Sequence, residues 1–476
     1  MADRDESLPD FAALLRELLG PDAQLPPEME QFLAAMQGGG DASPQAAMLQ
    51  HQLGLLFGDG GEAARLSGAT DLARKVVAAG GERSITEGAR RDVQAAVDVA
   101  RLWVDPVTSF DSPGGPTRAW SRAEWVEATM PTWVELLEPV ATGVASAGSA
   151  AMRKQLDALG ASGELPDLAS LGLPEELTAR IGAQGMSMDG LLRQFTPALE
   201  RVSAGLFTAQ IGHAVGALAA DVVSGTEVGL PVVPDQAITL LPAAIEEFAE
   251  GLGLEVAEVR LYLAVREAAR VRLFTQVPWL AANLEAGVRD YGRNITIDTD
   301  AIESAVSSVD FTDADAMQEA FAQAQLFGRA PTPAQQAALA RLETTLALVE
   351  GWVDLVTDQA VAAHLPHAAA LGEAVRRRRL GGPAQKAFSG FVGLQLSPRR
   401  LRDARNLWAA LEAAGGLDLR DDSWAHPDLA PTAGDLDDPL GYVERRRTPA
   451  APDAMDAEID SLLASFGDEP PTAPPA

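Results

Sequence analysis

Helical periodicity runs through almost all of this chain, and one stretch, Ala237-Ile238-Thr239-Leu240-Leu241 closed by Pro242, stands out as a strand. That imbalance confines the fold to a mainly α, multi-helical architecture with at most a small sheet. Helix signals are specific at several points. Thr86 to Val104 sets Val93, Val97, Ala100 and Val104 on one face and stops at Asp105-Pro106. Ser121-Arg122-Ala123-Glu124 reads as a capping box, with Trp125, Trp133 and Leu136 packing inward behind it and Pro131 marking a kink or a new start. Between about 201 and 224 a helix of small residues carries Gly212 and Gly216 one turn apart, which allows a second helix to approach closely; His213 between them reads as a satisfied core residue. A long helix begins at Thr332-Pro333 and runs to about Ala363, carrying Glu350, Trp352 and Asp354.

A chain of 476 residues can bury more than one core. The breaks suggest an N-terminal helical arm (1–60), a helical domain (61–225), a second domain (226–447), and a Pro- and Asp-rich disordered tail (448–476). Within that tail Ile459, Leu462, Leu463 and Phe466 recur at helical spacing, so 459–466 is a candidate docking helix. The Gly-broken stretch 150–200 is a candidate for divergence or for a mobile lid. There is no cysteine and no secretory signal at the start, and the expected location is cytoplasmic. The most apolar window, Val202 to Ala220, is interrupted by Gln210, His213 and glycines, so no membrane span is expected. A net charge of −31 argues against nucleic-acid binding, which needs clustered cations. Two basic runs break the trend, Arg376 to Arg379 and Arg399, Arg400, Arg402 and Arg405. They read as a solvated face or as internal partners of acidic groups, with a docking patch as the alternative.

The most informative stretch is Leu261 to Leu280. Its centre, Arg266-Glu267-Ala268-Ala269-Arg270, has the spacing of the zinc-protease motif His-Glu-x-x-His with arginine at both histidine positions. Around it stand Leu263, Phe274 and Pro278-Trp279-Leu280. Upstream lie Trp120-Ser121-Arg122-Ala123-Glu124-Trp125, Pro131, Trp133, Gly212, Gly216 and SGTEVGLPVVP at 224–234. Downstream lie Glu350-Gly351-Trp352 and RDDSWAHPDLAPTAGDLDDP at 420–439. Together, over roughly 60 to 447, these segments resemble the zincin-like metallopeptidase type 2 proteins of actinobacteria, many of them called hydrolases. The resemblance implies a zincin-like α+β fold with a strand beside the central helix. It also implies two histidine ligands at positions 266 and 270, a later ligand near 350–352, and Glu267 as general base.

The residues at those positions depart from that chemistry. A guanidinium has no free lone pair and stays protonated, so Arg266 and Arg270 cannot hold a cation, and Trp352 stands where the family tends to have His. No metal and no cofactor is expected. Two readings of the arginines stand side by side: a buried cluster in which they pair with Glu267 and Glu350, or a wetted helix face. The expected function is a binding or scaffolding protein built on a former active-site cleft, its partner an unknown protein or peptide. In that reading Arg266, Arg270, Glu350, Trp352 and Asp354 line the binding site, and the arginines form a positive floor. The alternative is a hydrolase with Glu267 as base and unidentified metal ligands. Its signature is a raised Glu267 pKa, against which two neighbouring arginines push. His364-x-x-His367 reads as surface or helix-end chemistry, with Asp358 and Glu373 as its nearest acids.

Overall fold

In a computed structural model, residues 62–161, 208–294, 332–381 and 398–448 are described. The N-terminal arm, most of the 150–200 stretch, the acidic segment 300–330, and the tail with 459–466 lie outside the described residues. The helices are α1 (Glu62–Ala79), α2 (Glu87–Val104), α3 (Arg122–Ala161), α4 (residues 208–219), α5 (Pro242–Leu252), α6 (Val256–Gln276) and α7 (Pro278–Arg293). After them come α8 (Pro333–Val361), α9 (Ala368–Gly381), α10 (Pro398–Asp421), α11 (Ala433–Asp437) and α12 (Pro439–Arg447). Two three-residue strands, β1 (Thr117–Ala119) and β2 (Ile238–Leu240), pair in parallel with Arg118 opposite Thr239.

The local signals account for these elements. Thr86 Oγ1 caps α2 by accepting the Ala89 N–H at 3.1 Å, and Val93, Val97, Ala100 and Val104 are fully buried along its inner face. The Ser121/Glu124 capping box closes with bonds of 2.7 and 3.2 Å. Pro131, expected as a kink or a fresh start, lies inside α3, which continues through Pro139 as well. An interior proline costs about 3 kcal/mol. Burial of Trp125, Val126, Met130, Trp133 and Leu136 against the core offsets it. Gly212 and Gly216 bring α4 onto α1: a Cβ there would lie 2.6 Å from the Ala69 carbonyl oxygen and 2.8 Å from that of Ala73. His213 is exposed, not in the core, because it lies to the side of the glycine-bearing face that meets α1.

One apolar cluster extends from Ala69 to Val443, shared by segments on both sides of residue 225. At its centre α6 contacts α2, α5, α7, α8 and β2, and every residue from Tyr262 to Leu273 is buried. The sequence gives α6 a narrow apolar face because Arg266, Glu267, Arg270 and Arg272 interrupt it, yet those four are buried too. β2 lies beside α6, flanked by β1 on one side and on the other by residues 223–225, through Gly225 N–H to Thr239 O at 2.9 Å and Leu241 N–H to Val223 O at 3.0 Å. This arrangement holds Ser224 and Thr226 against the middle of the helix. Residues 420–439, which read as irregular, form the end of α10, two single turns and the short capped helix α11. Among the described residues no helix is long and apolar enough to cross a membrane.

Candidate functional site

α6 and α8 cross with their charged residues face to face. Residues 266 and 270 on one helix, and 350 and 354 on the other, are each one turn apart and meet in opposite order. Arg266 donates from Nη2 to Glu350 Oε2 at 2.8 Å and from Nη1 to Asp354. Arg270 donates from Nε to Glu350 Oε1 at 3.1 Å, from Nη2 to Glu350 Oε2 at 3.3 Å, and from Nη1 to Glu267 Oε2 at 3.1 Å. Arg266 is 5% exposed, Arg270 1%, Glu267 0% and Glu350 2%, so this is the buried cluster and not a wetted face. The arginines present no open floor, because their donors are taken up by carboxylates inside the protein.

Glu267 is held by the 223–226 segment as well. It accepts from Ser224 Oγ at 2.8 Å, Thr226 N–H at 2.9 Å and Thr226 Oγ1 at 2.9 Å. Gly225 permits this wrap, since a Cβ there would sit 2.8 Å from Thr239 Cβ and 3.1 Å from Glu267 Oε1. From α9, Arg379 contacts Glu350 and donates to the Glu227 carbonyl at 2.7 Å. Three guanidiniums (Arg266, Arg270, Arg379) thus meet three carboxylates (Glu267, Glu350, Asp354), with Arg376 a further 4.0 Å neighbour of Asp354.

Burial is the largest influence on each titrating group here. It raises the Glu267 carboxyl above its ordinary value, against Arg270, Ser224 and Thr226, which lower it. The expectation that the arginines would decide the direction is therefore reversed. Their pull is present, but loss of water outweighs it. Burial brings Arg270 down to about 10 and pushes the Tyr262 hydroxyl up to about 12. Arg266 stays above its ordinary value: burial lowers it, but Asp354, Tyr262 and Asp358 together outweigh that loss. Burial, Arg270 and Arg266 together depress Arg379.

Catalytic zinc requires three ligands with free lone pairs and one open position. The donor set here does not fit. The two positions at ligand spacing on α6 are cationic forks, and both oxygens of Glu350 already accept from them. Among the described residues no group of three or more His, Cys, Asp or Glu side chains is placed to hold a metal ion.

Trp352 belongs to a different centre. Its Nε1 donates to Asp421 Oδ1 at 2.8 Å, and Arg420 lies over its ring at 5.6 Å. Asp421 also accepts from Thr108 Oγ1 at 2.7 Å, Ser109 N–H at 2.8 Å, Ser109 Oγ at 3.1 Å and Arg420 Nε at 2.7 Å. Burial would raise Asp421, but Arg420, Trp352 and Ser109 hold it below the usual aspartate value. Gly351, between Glu350 and Trp352, faces α10, where a Cβ would come within 2.6 Å of the Arg405 nitrogen. The three consecutive residues therefore point three ways: into the arginine pair, against α10, and onto Asp421.

Sequence reading missed Ser224, Thr226, Arg272 and the Arg420/Asp421 pair. A glycine between two hydroxyl residues, in Ser224-Gly225-Thr226, was the available signal for a wrapped carboxylate. Arg272 pairs with Asp105 at 2.6 Å, and nothing in its local pattern marks it as buried. Of the basic run 376–379, Arg376, Arg378 and Arg379 are internal partners while Arg377 is 78% exposed. The His364/His367 pair divides: His364 stacks on Trp103 at 4.2 Å, and His367 meets Glu258 at 2.8 Å, not Asp358 or Glu373.

Residues 66–443 match the zincin-like metallopeptidase family. The chain belongs to that family. It is also similar in fold to a crystal structure from Chloroflexus aurantiacus, provisionally called a hydrolase with a novel fold. The TM-score is 0.50 at 17% identity, covering 80% of this chain and 99% of that one. No curated protein matches the chain.

Proposed function

We propose that this chain is a non-catalytic zincin-like metallopeptidase, its His-Glu-x-x-His motif degenerate, in which a closed ion-pair cluster occupies the place of the metal centre. One observation carries the reading: both arginines at ligand spacing on α6 are buried and bonded to Glu267, Glu350 and Asp354. Two neutral histidines with Zn²⁺ carry +2, and two guanidiniums carry the same charge, so the substitution keeps the balance that buried carboxylates need. Its activity is then binding or scaffolding. A partner cannot use the arginines as an open floor while they are paired inside, so contacts on the surface around the cluster carry the interaction.

Hydrolysis with Glu267 as base is favoured by one observation, the upward displacement of that carboxyl by burial. Against it, both oxygens of Glu267 are occupied by donors, and its side chain is 0% exposed. Elemental analysis of protein purified without chelator separates the readings. We expect well under one zinc per chain and no peptide hydrolysis. About one zinc per chain, with hydrolysis that Glu267→Gln abolishes, would overturn the non-catalytic reading.

A further inference from the structure

α8 carries Glu350, Asp354 and Asp358 at successive turns, an acidic stripe four residues apart. Arginines from three helices neutralise it, and one of them, Arg405 of α10, donates to Asp358 at 2.9 Å. Arg266 and Arg270 come from α6, inside the core. Arg379 and Arg376 come from α9, with Arg379 on Glu350 and Arg376 Nη1 4.0 Å from Asp354 and 3.9 Å from Asp358. Beside Arg379, Arg378 reaches Glu227 at 3.4 Å and lies over the Phe248 ring at 5.0 Å. Among the described side chains of α9, Leu371 and Val375 are the large apolar ones that are buried, while α8 buries Leu342, Leu346, Leu348, Val349, Trp352 and Val353 among others. An element with few buried apolar contacts opens at lower free energy than the core around it. Ion pairs that are partly exposed, as at Arg376 and Arg378, add modest strength that salt weakens.

We propose that α9 is a releasable cover. It lifts as a unit while α6 and α8 stay packed, and the acidic stripe it leaves takes an arginine-bearing helical segment of another chain. In this structure α9 is the occupant in cis, and its own run of arginines defines the partner chemistry: guanidiniums spaced to meet carboxylates at consecutive turns. A chain of net charge −31 favours cationic partners at long range as well. The inference does not depend on the presence or absence of zinc. A metal found in the protein would overturn the proposed function and leave the release of α9 to its own measurement.

Hydrogen exchange on the full chain tests the release. Amides of 368–381 should exchange faster than those of α8, and raising salt from ~0.05 to ~1 M should speed them selectively. In Arg376→Ala/Arg378→Ala the exchange of α9 should rise about tenfold with α8 unchanged, and Arg377→Ala should do nothing. A synthetic peptide of residues 368–381 is the probe for the stripe. It should bind the double variant about tenfold more tightly than wild type and lose that gain when Asp358→Asn is added. Exchange of α9 as slow as that of α8 at both salt concentrations overturns the cover. Equal peptide binding by wild type and the double variant overturns the docking stripe. The wild-type salt series gives the first readout even if a variant fails to fold.

Discussion

The protein buries two charge centres a short distance apart along α8, and they are built on different terms. The α6/α8 centre joins Arg266, Arg270, Glu350 and Asp354 through side chains alone, with Glu267 tied on by the 223–226 segment. The Asp421 centre is anchored to backbone: Ser109 donates its N–H to Asp421 at 2.8 Å, and Arg420 donates to the Val107 carbonyl at 2.9 Å. A cluster of side chains between two helices can exchange its chemistry as a set without moving the main chain. A cluster that fastens a chain corner cannot. The comparison teaches that the side chains between α6 and α8 are free to change as a set, whereas Asp421 is committed to holding the 105–110 corner on α10.

The largest effect that can break this comparison is Arg266→Ala/Arg270→Ala. It strands buried carboxylates and should cost about 3–5 kcal/mol in urea unfolding. A loss of a few tenths of a kcal/mol would return the arginines to a solvated face. Asp421→Asn should cost about 2–3 kcal/mol, since Arg420 and the Ser109 amide lose a charged acceptor. Gly351→Ala, measured the same way, should cost about 1–3 kcal/mol by pushing α8 off α10.

The two centres should also differ in the sign of their pH dependence. Asp421 lies below its ordinary value in the fold, so its stabilisation is present above about pH 4 and is lost as pH falls through the lowered value. Glu267 lies above its ordinary value, so its ionisation costs stability as pH rises from about 4.3 through the raised value. The cost of Asp421→Asn should therefore fade in acid, and that of Glu267→Gln should shrink towards neutral pH. Unfolding at several pH values reads both, and parallel profiles would erase the distinction. The smallest expected change is Arg377→Ala, within about 0.5 kcal/mol, as a control on the exposed side of α9.

Much of the frame was legible. Thr86, Ser121/Glu124 and Thr332-Pro333 marked helix starts that the structure keeps, because capping is decided within four residues of chain. Gly212 and Gly216 announced a close helix contact for the same local reason. Glu267, Arg266 and Arg270 could be named from spacing, but their burial could not. The α6 sequence has the polarity of a surface helix, and only partners from distant segments on both sides, Asp105, Ser224 and Thr226 before it and Glu350 and Asp354 after it, make its interior position tolerable.

The sequence alone determined that the chain is helical, that residues 266 and 270 share a face, and that neither can grip a cation. Those follow from periodicity and from the electronic structure of a guanidinium. Only the tertiary structure decided that Glu350, Asp354 and Arg379 close around that face while Trp352 turns away to Asp421. It also decided that loss of water, more than the neighbouring cations, governs Glu267. Burial depends on what distant segments bring together, and that is written in no local stretch of the chain.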